Sequence, residues 1–265
     1  CGLRHLRGAA QPRPVSSPVC RLSSGSTVLH VGVVSPFAGI NRTIRTQEAN
    51  SMKESKFYFF ILSAALMLLV LSAAIAFPIL FRPFYYAHIA ALDLPGRTGW
   101  SAAEIRNAYD EMLDYCILGA PFGTGVLHWS YSGMAHFADC ARLFRLDFAI
   151  LGASALTLGG CAVAHRCGVR AARPLGRGSA FWAGSLLAAA VILLAALAVL
   201  NFDAAFVLFH HLFFPGKDNW LFDPTTDQII LILPKLFFRN CAIAIAVFLL
   251  IGCAALILWD LRRKR

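Results

Sequence analysis

Four long apolar stretches, at residues 57–80, 148–164, 181–200 and 241–259, alternate with segments where charges, prolines and glycines return. A helix rises ~1.5 Å per residue, so about 20 apolar residues cross a hydrocarbon core ~30 Å thick. The second stretch has only 17 residues, and 143–146 can lengthen it outward. The pattern predicts an all-α membrane protein with four transmembrane helices at about 57–80, 146–165, 181–201 and 238–259, joined by longer loops at 82–145 and 202–237. Small residues in the spans, with Ala153, Gly159 and Gly160 in the second, are expected to allow close helix packing.

The first long loop carries a helical signal of its own. Ser101-Ala-Ala-Glu104 is a capping box, and Ile105, Tyr109, Met112 and Cys116 recur at helical spacing while Arg106, Asp110, Glu111 and Asp114 take the other face. An amphipathic helix ending near Gly119 is expected, followed by a break at 121–125 and a short strand or surface strip at 126–131. These features predict a small, mainly helical subdomain beside the four spans.

Composition agrees with that class. Hydrophobic residues make up 58%, charged residues 14%, and the mean hydropathy of +0.64 excludes an ordinary soluble domain. Charge then orients the chain. The link between spans two and three holds Arg166, Arg170, Arg173 and Arg177 without an acid, and the chain ends Arg262, Arg263, Lys264, Arg265. By the positive-inside rule both are cytoplasmic, which predicts N-in and C-in. Residues 82–145, with five basic and six acidic side chains, and 201–236, with two and four, are then extracytoplasmic.

Residues 1–51 are rich in Ser, Pro, Gly and Arg without periodicity, and the first methionine is Met52, followed by Lys-Glu-Ser-Lys and an apolar run. They are expected to be a disordered leader, or a start assigned too early, ahead of a single membrane domain at 52–265. From Met52 onward 18 basic and 13 acidic residues remain, so the net charge falls from +10 to +5 and nucleic acid loses its support as a partner. Ala74-Ile75-Ala76 resembles a signal cleavage site, but the run before it is longer than an h-region of about 7–15 residues, and an uncleaved anchor is the better reading.

Eight cysteines show no CxxC and no metal pattern, and no cofactor or metal is expected. Cys116 and Cys140 share a loop, and a structural disulfide between them is not expected. Ionisable groups at the outer end of a span are costly, which makes them hypotheses about chemistry. Two such groups of residues stand out. His136 and Asp139, three apart on one helical face, lead into the second span, so the carboxylate either orients the imidazole or is a residue of the helix surface. In 206–228 lie His210, His211, Trp220, Asp223 and Asp227.

HFADCARLF at 136–144, together with FHHLFF at 209–214 and NWLFDPTTDQIILILPKLFF at 219–238, resembles the Lit family, the bacterial lipoprotein intramolecular transacylases. The resemblance covers essentially 52–265. It implies a multi-pass protein of the bacterial cytoplasmic membrane that acts on the extracytoplasmic side. Its substrates would be diacylglyceryl-modified lipoproteins within membrane lipid. The reaction implied moves the sn-2 acyl chain to the α-amine of the N-terminal cysteine of the same molecule. By resemblance His136 and His210 are acid and base, with Asp139, Trp220, Asp223 and Asp227 supporting.

Plainer roles compete for each residue. A lone interfacial histidine such as His210 is ordinarily satisfied by a backbone carbonyl; the second motif is what favours chemistry. His211, about 100° further round a helix, is read as structural. Trp220 fits the aromatic belt first and a substrate-shaping role second. Asp223 to Asp227 reads first as a turn and cap, and His88, His128 and His165 as uninvolved. A haem or metal protein would want histidines facing one another across spans. A small transporter or scaffold subunit is the stronger rival, but it predicts polar residues at mid-span, where spans three and four are nearly pure Ala, Leu, Val and Ile.

Overall fold

A cap precedes the first span. The Ser55 side chain accepts the Tyr58 amide (3.1 Å) and starts α1, Lys56–Leu80. The structure, a computed structural model, describes residues 54–263, so the expected leader at 1–51 lies outside the described residues. In chain order follow β1 (Glu54–Ser55) ahead of α1, then α2 (Pro83–Ala91), α3 (Leu94–Thr98), α4 (Ala102–Leu118), α5 (Tyr131–Arg166), β2 (Arg170–Ala171), α6 (Ser179–Leu200), α7 (Phe202–Phe213), α8 (Ile229–Ile232) and α9 (Lys235–Arg262). Among the described residues, α1, α5, α6 and α9 are long and apolar enough to cross a membrane.

Three of these helices match the expected spans to within about three residues at each end. The second does not: α5 begins at Tyr131, 15 residues before 146. The physical reason is continuity. The Ser130 side chain accepts the Gly133 amide (3.0 Å) and caps the helix, and no proline interrupts it before Arg166. Its 36 residues extend ~54 Å, well beyond a ~30 Å core, so its first turns project from the span as a rigid post. That post, rather than a loop, carries His136 and Asp139. The expected strip at 126–131 contains no strand; 126–130 is irregular, Tyr131 already opens α5, and the strip is tied to the second long loop, with the His128 amide donating to Gln228 Oε1 (2.8 Å) and the Gln228 amide to the His128 carbonyl (3.0 Å).

The bundle closes through small residues, but not those expected in the second span. A Cβ on Gly184 would stand 2.7 Å from the Cys253 carbonyl, and one on Gly252 2.6 Å from Val70, so the crossings of α6 with α9 and of α9 with α1 need glycine. Gly159 and Gly160 have nothing within 4 Å of such a Cβ, and Ala153 is exposed. They lie on the outward face of α5, whose buried contacts run through Ser154 and Cys161 instead. At one end of the bundle β1 pairs with β2, Arg173 reaches Asp260 (3.8 Å), and Asp260 accepts the Gly178 amide (3.0 Å). The basic link and the end of α9 are thereby held together.

The other end carries the helical subdomain. The capping box at Ser101 and Glu104 forms, Gly119 closes α4 at φ +74°, and Ile105, Tyr109, Met112 and Cys116 are all buried. Tyr85 of α2 stacks on Tyr109 (3.7 Å, 13°) and donates to the Ile232 carbonyl (2.9 Å), locking α2, α4 and α8 into one core that also takes in Phe137 and Phe237. Cys116 and Cys140 are free thiols.

Candidate active site

Two helices bring the expected pair together. His136 stands on the second turn of α5, and His210 near the end of α7, a helix that the Asn201 side chain starts by accepting the Ala204 amide (3.0 Å). The chain breaks after Phe213 because Pro215 follows and Gly216 takes φ +70°. Val207, Leu208, Leu212 and Phe213 leave an apolar side of α7 exposed, as an interfacial helix would, while His210 faces inward.

The two imidazoles lie 6.0 Å apart with their planes at 29°, and they are only 6% and 8% exposed. Aromatic rings wall them in. Phe214 and Phe222 meet His136 edge-on at 4.9 and 5.4 Å, Phe206 lies 4.3 Å from His210, and Trp220 stacks on His210 at 4.5 Å and 28°. His210 Nδ1 is 2.7 Å from the Phe206 carbonyl. As Nδ1–H it donates there, which leaves the Nε2 lone pair free. The plainer reading, a backbone-satisfied histidine, is therefore true of one nitrogen and leaves the other for chemistry. Burial holds the His210 imidazolium below the ordinary histidine range, so the neutral base persists to lower pH than the value near 6.5 of an unperturbed ring.

Asp139 behaves differently from the sequence expectation. Its carboxylate, 6% exposed, accepts Lys217 Nζ on both oxygens (2.6 Å each), Arg142 (2.8 Å) and Asn219 Nδ2 (3.3 Å). It makes no hydrogen bond to His136: two cations and an amide fill its acceptor sites, and so it fastens the 214–219 turn to the α5 post instead. The nearest partner of His136 is Cys140, one turn on, whose Sγ lies 3.5 Å from Nε2.

Trp220 is also reassigned. It is buried rather than lying in a surface belt, with its indole N–H on the Lys217 carbonyl (3.0 Å) and its face on His210. His211 is exposed and meets only the edge of that indole. Asp223 forms the expected turn: its carboxylate accepts the Thr225 amide (2.9 Å) and hydroxyl (2.8 Å), which hold it below the usual carboxylate range. Asp227, 4% exposed, reaches across to the start of α5 and accepts the Ser130 amide (2.8 Å) and hydroxyl (2.7 Å) as well as Thr226 (2.9 Å). Gly133 is obligatory beside it, since a Cβ there would overlap the Asp227 carboxylate. His88 bonds the Phe84 carbonyl and Asn240, His128 holds the strip through its backbone, and His165 lies beside Arg170 at the opposite end; none joins the pair.

Sequence reasoning missed Lys217 and Asn219. The available signal was their place directly before Trp220 in the quoted motif, together with Lys217 being one of only two cations among four acids in 201–236. Chemically, two imidazoles in an apolar enclosure can take a proton from one heteroatom and return it to another without bulk water.

A family model described as lipoprotein intramolecular transacylase Lit matches residues 60–238. Among solved structures, the chain is similar to the membrane integral lipoprotein intramolecular transacylase Lit from Bacillus cereus, with 26% identity and a TM-score of 0.68 over 79% of this chain and 96% of that one. Two further structures of that protein, carrying a histidine-to-arginine and a histidine-to-alanine mutation, match at 24% identity and a TM-score of 0.63 over 85% of this chain and 98% and 99% of theirs. At that identity these two show the shared fold alone. No curated protein matches.

Proposed function

The chain belongs to the lipoprotein intramolecular transacylase Lit family, and from that premise we propose the reaction and the residues that perform it. The reaction is transfer of the sn-2 acyl chain of a diacylglyceryl-modified lipoprotein to the α-amine of its own N-terminal cysteine, giving the lyso form. His136 and His210 serve as acid and base. The observation that carries this reading is the burial of these two imidazoles 6.0 Å apart in one aromatic enclosure.

The atoms balance without a cofactor. The neutral amine attacks the sn-2 ester carbonyl, an N–C bond forms, and the C–O bond to glycerol breaks. One imidazole takes the proton that the nitrogen sheds, and the other supplies the proton that the departing oxygen needs. Two like charges at this separation repel, so one proton held by the pair is the working state. Because amine and ester belong to one molecule, the enclosure recovers entropy by holding them in line, and no acyl-enzyme is required. Asp139, Trp220 and Asp227 shape the enclosure, and Asp223 forms the turn behind it.

The enclosure faces the extracytoplasmic side in this reading. The arginine-rich link and the end of α9 lie together at the opposite end of the bundle, which the positive-inside rule assigns to the cytoplasm.

Mass spectrometry with fragmentation of a reporter lipoprotein's N-terminal peptide tests the reaction, since transfer relocates the acyl mass without changing the total. His136→Ala and His210→Ala are each expected to lower conversion by about 10²- to 10⁴-fold at unchanged membrane level. His211→Ala and Cys140→Ala are expected to convert the reporter. Parental conversion by His210→Ala protein refutes the assignment.

A further inference from the structure

The hydrogen bonds around His136 leave two complementary atoms unpaired. His136 Nδ1 and Asn219 Oδ1 are both buried, and neither has a hydrogen-bond partner. Asn219 is held beside this face of α5 by Asp139, three residues on from His136, whose carboxylate accepts its Nδ2–H at 3.3 Å. A buried donor or acceptor left unpaired is costly, so a side-chain rotation that joins the two unpaired atoms is favoured.

We propose that Asn219 is the positioning residue of His136: its carbamoyl oxygen takes the Nδ1–H proton while its Nδ2–H donates to Asp139. This rests on the reading of His136 as acid or base. The amide orientation follows from Asp139, which is already fixed by Lys217 and Arg142 and can only accept. The Nδ2 of Asn219 lies 3.3 Å from its carboxylate, so Oδ1 must face the other way. The flipped amide would set oxygen against carboxylate.

The consequence is a carboxylate–amide–imidazole chain that selects the Nδ1–H tautomer and leaves the lone pair on Nε2. The Cys140 thiol, 3.5 Å from Nε2, fits that tautomer as a weak donor that substrate can displace. His210 reaches the same state by another route, through the Phe206 carbonyl. Asn219 and Trp220, adjacent in sequence, thus serve one imidazole each: the amide orients His136, and the indole stacks on His210.

The test is imidazole ¹⁵N NMR on full-length protein labelled with ¹⁵N-histidine, with His136→Gln identifying the His136 resonances, alongside kinetics on the reporter lipoprotein. The wild type is expected to show His136 as Nδ1–H. Asn219→Leu, similar in volume but without polar atoms, should lose that preference and lower kcat by about 10- to 100-fold, the usual loss when an imidazole's orienting partner is removed, with KM little changed. Asn219→Asp keeps an oxygen but sets a second carboxylate against Asp139, so it should swing away from His136 and lose the tautomer as Asn219→Leu does. Lys217→Met loosens the same turn while sparing the amide, and should retain the tautomer, which separates positioning from loop anchoring. A wild-type His136 that carries its proton on Nε2 overturns the inference. So does an Asn219→Leu protein with unchanged tautomer and kcat. Should Asn219→Leu fail to fold, the wild-type and Asn219→Asp spectra still decide. If wild-type protein leaves the reporter unconverted, the transacylation reading fails and the tautomer measurement stands apart from it.

Discussion

Asp227 and Gly133 occupy one another's space, and this makes their energetics predictable together. The Asp227 carboxylate takes three hydrogen bonds, two of them from Ser130 at the start of α5. Hydrogen bonds to a charged group are worth about 1.5–3 kcal/mol each and do not add fully, so Asp227→Ala should destabilise by roughly 2–4 kcal/mol. Gly133→Ala alone would gain about 1 kcal/mol of helix propensity in open space. Here its Cβ overlaps the carboxylate and stands 3.1 Å from Phe222, and overpacking of that kind costs about 1–3 kcal/mol. In the Asp227→Ala background the overlap is gone and most of that cost should vanish. The double variant is therefore expected to be about 1–3 kcal/mol more stable than the sum of the singles. Thermal unfolding in detergent, followed by a thiol-reactive fluorophore on the buried Cys116 and Cys253, reads this as a few degrees in Tm. Additivity within about 0.5 kcal/mol would show that the two residues do not meet, and would remove the tie between the second long loop and the α5 post.

Burial favours neutral His210, so its folded pKa lies below the unfolded value and the unfolded chain binds more protons under about pH 6.5. Stability should fall as pH drops from about 6.5 toward the folded pKa, and His210→Gln should flatten that part of a Tm–pH curve; an identical slope in both proteins counts against the burial argument. Activity should fade only below the ordinary histidine range, which a kcat–pH profile measures. Gly184→Val should destabilise by about 1–3 kcal/mol by forcing α6 from the Cys253 carbonyl, whereas Gly159→Ala, with open space around it, should leave Tm unchanged or slightly raised; equal effects would contradict the packing described. Reporter fusions after Arg173 are expected to register cytoplasm, and fusions within 216–228 the outside; a cytoplasmic signal from the second loop would remove the active-site orientation.

The spans, the α4 helix with its cap, and the candidacy of His136 and His210 were legible in the sequence because each depends on local pattern. Apolar length predicts a span, the 3.6-residue period of Ile105, Tyr109, Met112 and Cys116 predicts which face is buried, and two short motifs mark the histidines. What the sequence left open depends on atoms far apart in the chain. Asp139 is three residues from His136, and helical spacing alone suggested that they pair. The carboxylate instead binds Lys217, 78 residues away, because a cation held in place outbids a neutral ring for a buried negative charge. Trp220 looked like a belt residue until the turn after α7 folded it onto His210. Gly159 and Gly160 resembled a packing face, but rotation of α5 about its axis, set by contacts with α1, turned them outward. The sequence by itself determined the four spans, the α4 helix with its buried face, and which histidines are candidates for proton transfer. Only the tertiary structure decided which charges meet and which histidine nitrogen is free, because Coulombic and hydrogen-bonding energies fall off within a few ångströms, and the sequence leaves those distances open.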